Sequence, residues 1–135
     1  MRAVLDPNTL IAPLLSPSGA PAQLVSRWLG GEFELVVSDG LLNELERALA
    51  YPKLRRRVPE DDAAEYVSLL RLAADVAPDP STATHRSADP GDDYLLSLAE
   101  HEHAVLVSGD RHLLDLADRL PIQTARDFLN RLADT

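Results

Sequence analysis

The chain has 135 residues, 45% of them hydrophobic and 26% charged, the composition of a soluble globular protein with one core that buries about two-thirds of its unfolded surface. Thirteen basic residues stand against 22 acidic ones, a formal charge of −9, which disfavours broad coating of a phosphate backbone. No cysteine is present, so disulfides, thiolate nucleophiles and cysteine-ligated zinc are excluded, and any metal site must use oxygen ligands.

Pro7–Ser26 carries no charge, but Pro7, Pro13, Pro17, Pro21 and Gly19 break it well below a membrane-spanning helix. Asp6 and Pro7 likewise interrupt the apolar region that a secretory signal would need after Met1-Arg2. The expectation is a cytoplasmic protein with no membrane contact.

Ala3-Val4-Leu5 reads as a short strand, followed by a helix in which Pro7 takes the first position and Leu10, Ile11, Leu14 and Leu15 recur at helical spacing. Ser16–Gly19 is a loop. A second helix carries Ala22, Val25, Trp28 and Leu29 and ends at Gly30-Gly31. Phe33–Val37 predicts a buried strand, and Ser38 or Asp39 caps a helix with Leu41, Leu45, Ala48 and Leu49 on its apolar stripe.

The basic run Lys53–Arg57 follows Tyr51-Pro52, and a helix over 60–74 places Ala64, Val67, Leu70 and Leu72 as its apolar residues. Pro78–Gly91 is rich in turn formers. Asp92–His101 predicts a helix, Ala104–Val107 a strand and Asp110–Leu120 a helix; Ile122–Thr124 precedes a last helix with Phe128 and Leu132. Strands alternating with helices predict one domain over 1–135, a three-layer α/β/α fold with a mainly parallel sheet.

Ligands of open parallel sheets bind beyond the carboxyl ends of the strands. Asp6, Asp39 and, through Ser108-Gly109, Asp110 follow three of the apolar runs. Glu44 shares a helical face with Leu41, Leu45 and Ala48, and Asp92 is in phase with Leu95, Leu96 and Ala99, while Asp93 is one step out. Taken singly, an acid at a helix start is a cap or a dipole partner by default. Glu44 is different: mid-helix on an apolar stripe, it must be paired, with Arg47 or Arg86 as the bland partners, or bound to a metal. Carboxylates without cysteine or paired histidine suit a hard cation such as Mg²⁺ or Mn²⁺, and two such ions can activate a water for phosphodiester hydrolysis.

Four blocks in order carry a family likeness: Leu5-Asp6-Pro7-Asn8, Ser38 through Glu44-Leu45, Asp89-Pro90-Gly91-Asp92-Asp93, and Val107-Ser108-Gly109-Asp110-Arg111-His112-Leu113-Leu114. Over nearly the whole chain the sequence resembles the PIN domain, the nuclease fold of VapC-type toxins and related ribonucleases. The resemblance implies single-stranded RNA cleavage dependent on Mg²⁺ or Mn²⁺, an antitoxin protein that occludes the site, and a homodimer. By it the four acids fall on Asp6, Glu44, Asp92 and Asp110, with Asn8 and Ser108 at supporting polar positions and Asp93 as the neighbour of the third acid. One departure stands out: Pro7 occupies the place of a small hydroxyl residue, removing that hydroxyl and a backbone N–H.

Lys53, Arg55, Arg56, Arg57 and Arg111 are candidate RNA contacts, and a solvated basic turn is the equal alternative for the run at 53–57. His101 and His103 lack the one-turn spacing of a zinc pair, and the aromatic residues are too scattered for base stacking. Two other readings compete with a nuclease: a catalytically impaired PIN module acting through binding, and an aspartyl-phosphate phosphatase built on Asp6-Pro7-Asn8-Thr9, in which Asn8 cannot act as the second acid.

Overall fold

The computed structural model describes residues 1–80 and 92–134. In chain order these form β1 (Arg2–Leu5), α1 (Pro7–Leu15), α2 (Ala20–Leu29), β2 (Glu34–Ser38), α3 (Asp39–Leu49), α4 (Pro52–Arg55), α5 (Glu60–Ala73), β3 (Asp75–Ala77), α6 (Asp93–His101), β4 (Val105–Val107), α7 (Arg111–Leu114), β5 (Ile122–Gln123) and α8 (Ala125–Ala133). The strands make one five-stranded sheet in the order β3-β2-β1-β4-β5, and every pairing is parallel.

Parallel neighbours need crossovers, and crossovers are right-handed. The chain moves from β1 out to β3 in one direction and from β4 to β5 in the other, so its helices fall on opposite faces of the sheet. Both faces are therefore covered, which is why Ala3, Val4, Leu5, Val36, Val37, Leu106 and Val107 are buried without alternation. The reversal of direction lies between β1 and β4, and this is where an open parallel sheet leaves a crevice at its carboxyl edge.

Four of the predicted elements differ from the observed ones. On α5 the buried residues are Ala63, Val67 and Leu70, whereas Ala64 is exposed and Leu72 is 86% exposed, because Leu72 lies half a turn around from Leu70. Leu29 is also exposed, and Leu24, Val25 and Trp28 form the inner face of α2. The helix expected over 110–120 stops at Leu114 and continues as tight turns through Leu116→Leu113, Ala117→Leu114 and Arg119→Leu116 hydrogen bonds. β3 falls in a stretch that carries no strand signal of its own; its three residues pair with Val36–Ser38.

Local chemistry explains the helix starts. Asp6 caps α1 by accepting from Thr9 N, Ser38 caps α3 by accepting from Leu41 N, and Thr124 caps α8 by accepting from Asp127 N. Pro7 at N1 of α1 costs nothing, since the N–H it lacks has no helical partner there. Asp79 adds a second acceptor for α3: its Oδ2 takes Gly40 N at 3.0 Å, and a Cβ at Gly40 would come within 2.7 Å of Asp79 Oδ1, so a larger residue there requires the Asp79 side chain to shift. The core is one hydrophobic cluster whose aromatic centre is an edge-to-face contact of Phe33 with Phe128, centroids 5.2 Å apart.

Candidate active site

Asp6 leaves the end of β1 at the switch point and is 4% exposed. Both of its oxygens are engaged by neutral donors: Oδ1 accepts from Thr9 N at 2.8 Å and Oδ2 from the Ser108 hydroxyl at 2.5 Å. Ser108 follows β4, the strand beside β1, and its Oγ in turn accepts from Asp110 N at 3.0 Å. One buried hydroxyl thus ties the ends of two parallel strands together and sets Asp110 next to Asp6. The Asp110 carboxylate caps the short α7 by accepting from His112 N at 2.8 Å.

Glu44 sits one turn into α3 and is half-buried on the stripe of Leu41, Leu45 and Ala48. Among the described residues its partner is not Arg47 but the hydroxyl of Tyr94, on the first turn of α6, which donates to Glu44 Oε2. Burial pushes the Tyr94 phenol far above its ordinary range, helped by the hydrogen bond to Glu44 and then by the negative charges of Glu44, Asp92 and Asp6. These three acids, from α3, the start of α6 and the end of β1, therefore act together on one hydroxyl.

Helical phase points Asp92 inward and Asp93 outward; the structure reverses their burial. Asp93 is 3% exposed and Asp92 is half-buried, because α6 is enclosed almost all round, with Leu95, Leu96, Ser97, Leu98 and Ala99 also buried. Phase separates faces only when a helix has a solvent side. Arg86 and the Asp89-Pro90-Gly91 block lie outside the described residues.

Among the described residues no group of three or more acidic or histidine side chains is close enough to hold an ion as it stands. The contacts shown at these acids are the Ser108 hydroxyl, which joins the Asp6 carboxylate to the backbone N–H of Asp110, and the Tyr94 hydroxyl on Glu44. The donor set fits a divalent ion nonetheless. It is all oxygen, Asp6, Glu44 and Asp110 form no ion pair among the described residues, and a carboxylate that accepts one or two hydrogen bonds keeps further lone pairs.

Asn8 is exposed and, with Thr9, Ala12, Pro21, Gly109 and Ala125, lines a cavity of about 370 Å³ that Asp110 borders. Arg111 is exposed beside Asp110. The run at 53–57 lies elsewhere. It follows the end of α3 remote from Asp39, and Arg57 donates to Leu15 O at the last residue of α1, so it is about 13 Å of helix away from Asp6. Arg55 pairs with Glu60 at 3.5 Å, while Lys53 and Arg56 are exposed.

A PIN domain family model matches residues 2–112. The chain belongs to the PIN domain family. PIN domains are generally nucleases and typically use a divalent metal. The chain is 23% identical over 139 residues to the uncharacterized protein MJ1680 of Methanocaldococcus jannaschii, covering 96% of this chain and 90% of that protein. The fold is similar to the crystal structure of PAE2754 from Pyrobaculum aerophilum, with a TM-score of 0.70 and 21% identity over 100% of this chain and 91% of that one. It is also similar to the crystal structure of VapBC2 from Rickettsia felis bound to a DNA fragment from its promoter, with a TM-score of 0.64 and 14% identity over 91% and 97% of the two chains.

Sequence reasoning missed Tyr94 as a member of the site. The available signal was its place directly after Asp92-Asp93 on a helix start, where an aromatic ring can pack inward and its hydroxyl still reach a polar edge.

Proposed function

We propose that this PIN domain is an endoribonuclease that cleaves single-stranded RNA with Mg²⁺ or Mn²⁺, held by Asp6, Glu44, Asp92 and Asp110. The observation that carries the reading is the Ser108 hydroxyl, which donates to the buried Asp6 carboxylate and accepts the backbone N–H of Asp110 at the carboxyl edge of the sheet, together with the Tyr94 hydroxyl, which donates to Glu44. When bound, a divalent ion supplies Lewis-acid activation of water and charge stabilisation of the phosphate in an in-line displacement, so no protein nucleophile is required.

The chain's own residues prepare that chemistry. Thr9 N and Ser108 fix Asp6 so that its remaining lone pairs face the crevice, and Tyr94 fixes Glu44. Arg111, an exposed basic side chain next to Asp110 in the chain, takes a phosphate of the strand; Lys53 and Arg56 meet only an RNA that runs the length of the domain. Asn8 and the cavity beside Asp110 receive a nucleotide next to the scissile bond.

Two features favour this reading over its rivals. Pro7 occupies a helix position whose N–H is not needed, so the departure from the family pattern leaves the Asp6 cap intact and gives no reason for an impaired module. Asp6 is buried and doubly hydrogen-bonded, unlike a free carboxylate nucleophile, and Asn8 is exposed, which counts against an aspartyl-phosphate phosphatase.

The likeness to Rickettsia felis VapBC2 supports a toxin role with an antitoxin partner. Leu69, Leu72 and Val76 are 38%, 86% and 39% exposed and give apolar surface for that partner or for a second copy to cover. The deciding experiment is Glu44→Gln with the fold checked by circular dichroism: Mg²⁺-dependent cleavage of single-stranded RNA disappears, and undiminished cleavage overturns the assignment.

A further inference from the structure

The Tyr94 hydroxyl is the partner of Glu44 in a region dense in carboxylates. The choice of a phenol has a physical consequence. An arginine or lysine in its place would neutralise Glu44 and compete with any divalent ion, whereas a phenol is a neutral donor. It occupies one lone pair of Oε2 and leaves the carboxylate its full negative charge. The ring is anchored as a rigid strut, because Tyr94 stands on α6, whose following residues Leu95, Leu96, Leu98 and Ala99 are buried, and it reaches across to α3. It therefore couples the helix that carries Glu44 to the helix that begins beside Asp92.

From this geometry we propose that Tyr94 is a positioning residue for divalent-ion binding: its neutral hydroxyl orients Glu44 toward the crevice and preserves the charge that a cation needs. The proposal rests on the metal-dependent reading above and goes beyond it, since that reading needs only the four acids. A phenol keeps its proton, and so remains a donor, throughout the neutral range. Outer-shell donors of this kind set ligand orientation, and their loss typically weakens a metal by about 10- to 100-fold.

The test is Tyr94→Phe, which keeps the ring and deletes the hydroxyl, with Mn²⁺ binding followed by calorimetry in the absence of RNA. The expected result is a rise of about 10-fold in the Kd for Mn²⁺ with an unchanged thermal midpoint in the ion-free protein. An unchanged or lower Kd in a folded Tyr94→Phe overturns the proposal while leaving the four-acid site standing. Failure of the wild-type chain to bind Mn²⁺ overturns both. A second measurement does not depend on that variant folding. In Tyr51→Phe/Tyr66→Phe, Tyr94 is the one tyrosine left, and binding of Mg²⁺ perturbs its absorption because the charge on its acceptor Glu44 changes. A tyrosine spectrum indifferent to saturating Mg²⁺ overturns the proposal.

Discussion

The two edges of the sheet each gather carboxylates, and they manage them in opposite ways. At the amino edge Arg2 meets Glu34 at 2.6 Å, Asp75 at 3.0 Å and Glu102 at 2.9 Å, and its Nε also donates to Glu102 O. One guanidinium thereby joins β1 to β2, β3 and the turn before β4, and the acids there have their cation built in. At the carboxyl edge Asp6, Glu44 and Asp110 are held by Thr9 N, Ser108, Tyr94 and His112 N, all neutral donors. The difference teaches how charge can be stored: at one edge a guanidinium neutralises the acids, and at the other neutral donors fix their orientation and leave the charge, as the proposed metal site requires.

The largest way to break this contrast is Asp6→Asn. The amide oxygen can still cap α1, but one charge is gone, so Mg²⁺-dependent RNA cleavage falls by at least about 100-fold. Thermal unfolding of the ion-free variant shows a midpoint unchanged or raised, because repulsion among the acids is relieved; a large loss of stability would give Asp6 a structural role instead.

Metal addition sharpens the same comparison from the other side. Mg²⁺ at ten times its Kd stabilises the wild type by about 1.4 kcal/mol in denaturant titrations, and Asp6→Asn loses this gain. The converse variant, Arg2→Met, strips the amino edge of its cation and costs on the order of 1 kcal/mol in the same titrations, since the partners are partly solvated. Its RNA cleavage stays at the wild-type level, and a cleavage defect would mean that the two edges are not independent.

The smallest effect is alkaline. Tyr66 on α5 donates to Leu10 O on α1 at 2.6 Å, and burial pushes its phenol above the ordinary value. A folded-state pKa raised in this way contributes stability that is complete below about pH 10 and is lost as pH rises toward the raised value. Tyr66→Phe is therefore less sensitive than wild type to the rise above about pH 10, as followed by unfolding midpoints, while the Arg2 cluster stays charged over that range.

Much of the fold was legible in short stretches. Asp6 and Ser38 act at their helix starts through local hydrogen bonds, and the unbroken apolar runs at 3–5 and 105–107 are strands covered on both faces. The misreadings share a cause. Ala64 and Leu72 are apolar yet lie off the face of α5 set by Ala63, Val67 and Leu70, and Asp93 is buried because α6 is enclosed rather than one-sided. The remote position of Lys53–Arg57 follows from the direction in which α1 and α3 run, which no local composition encodes.

By itself the sequence determined which residues are acids at strand ends, which helices they cap and that the sheet is parallel, since each depends on neighbours within a turn or on a run of a few side chains. Only the tertiary structure decided which donor meets each acid: Ser108 reaches Asp6 across 102 positions and Tyr94 reaches Glu44 across 50. Such contacts are set by strand order and helix packing. A side chain's chemical type is written locally, whereas its partner is chosen by the path of the whole chain.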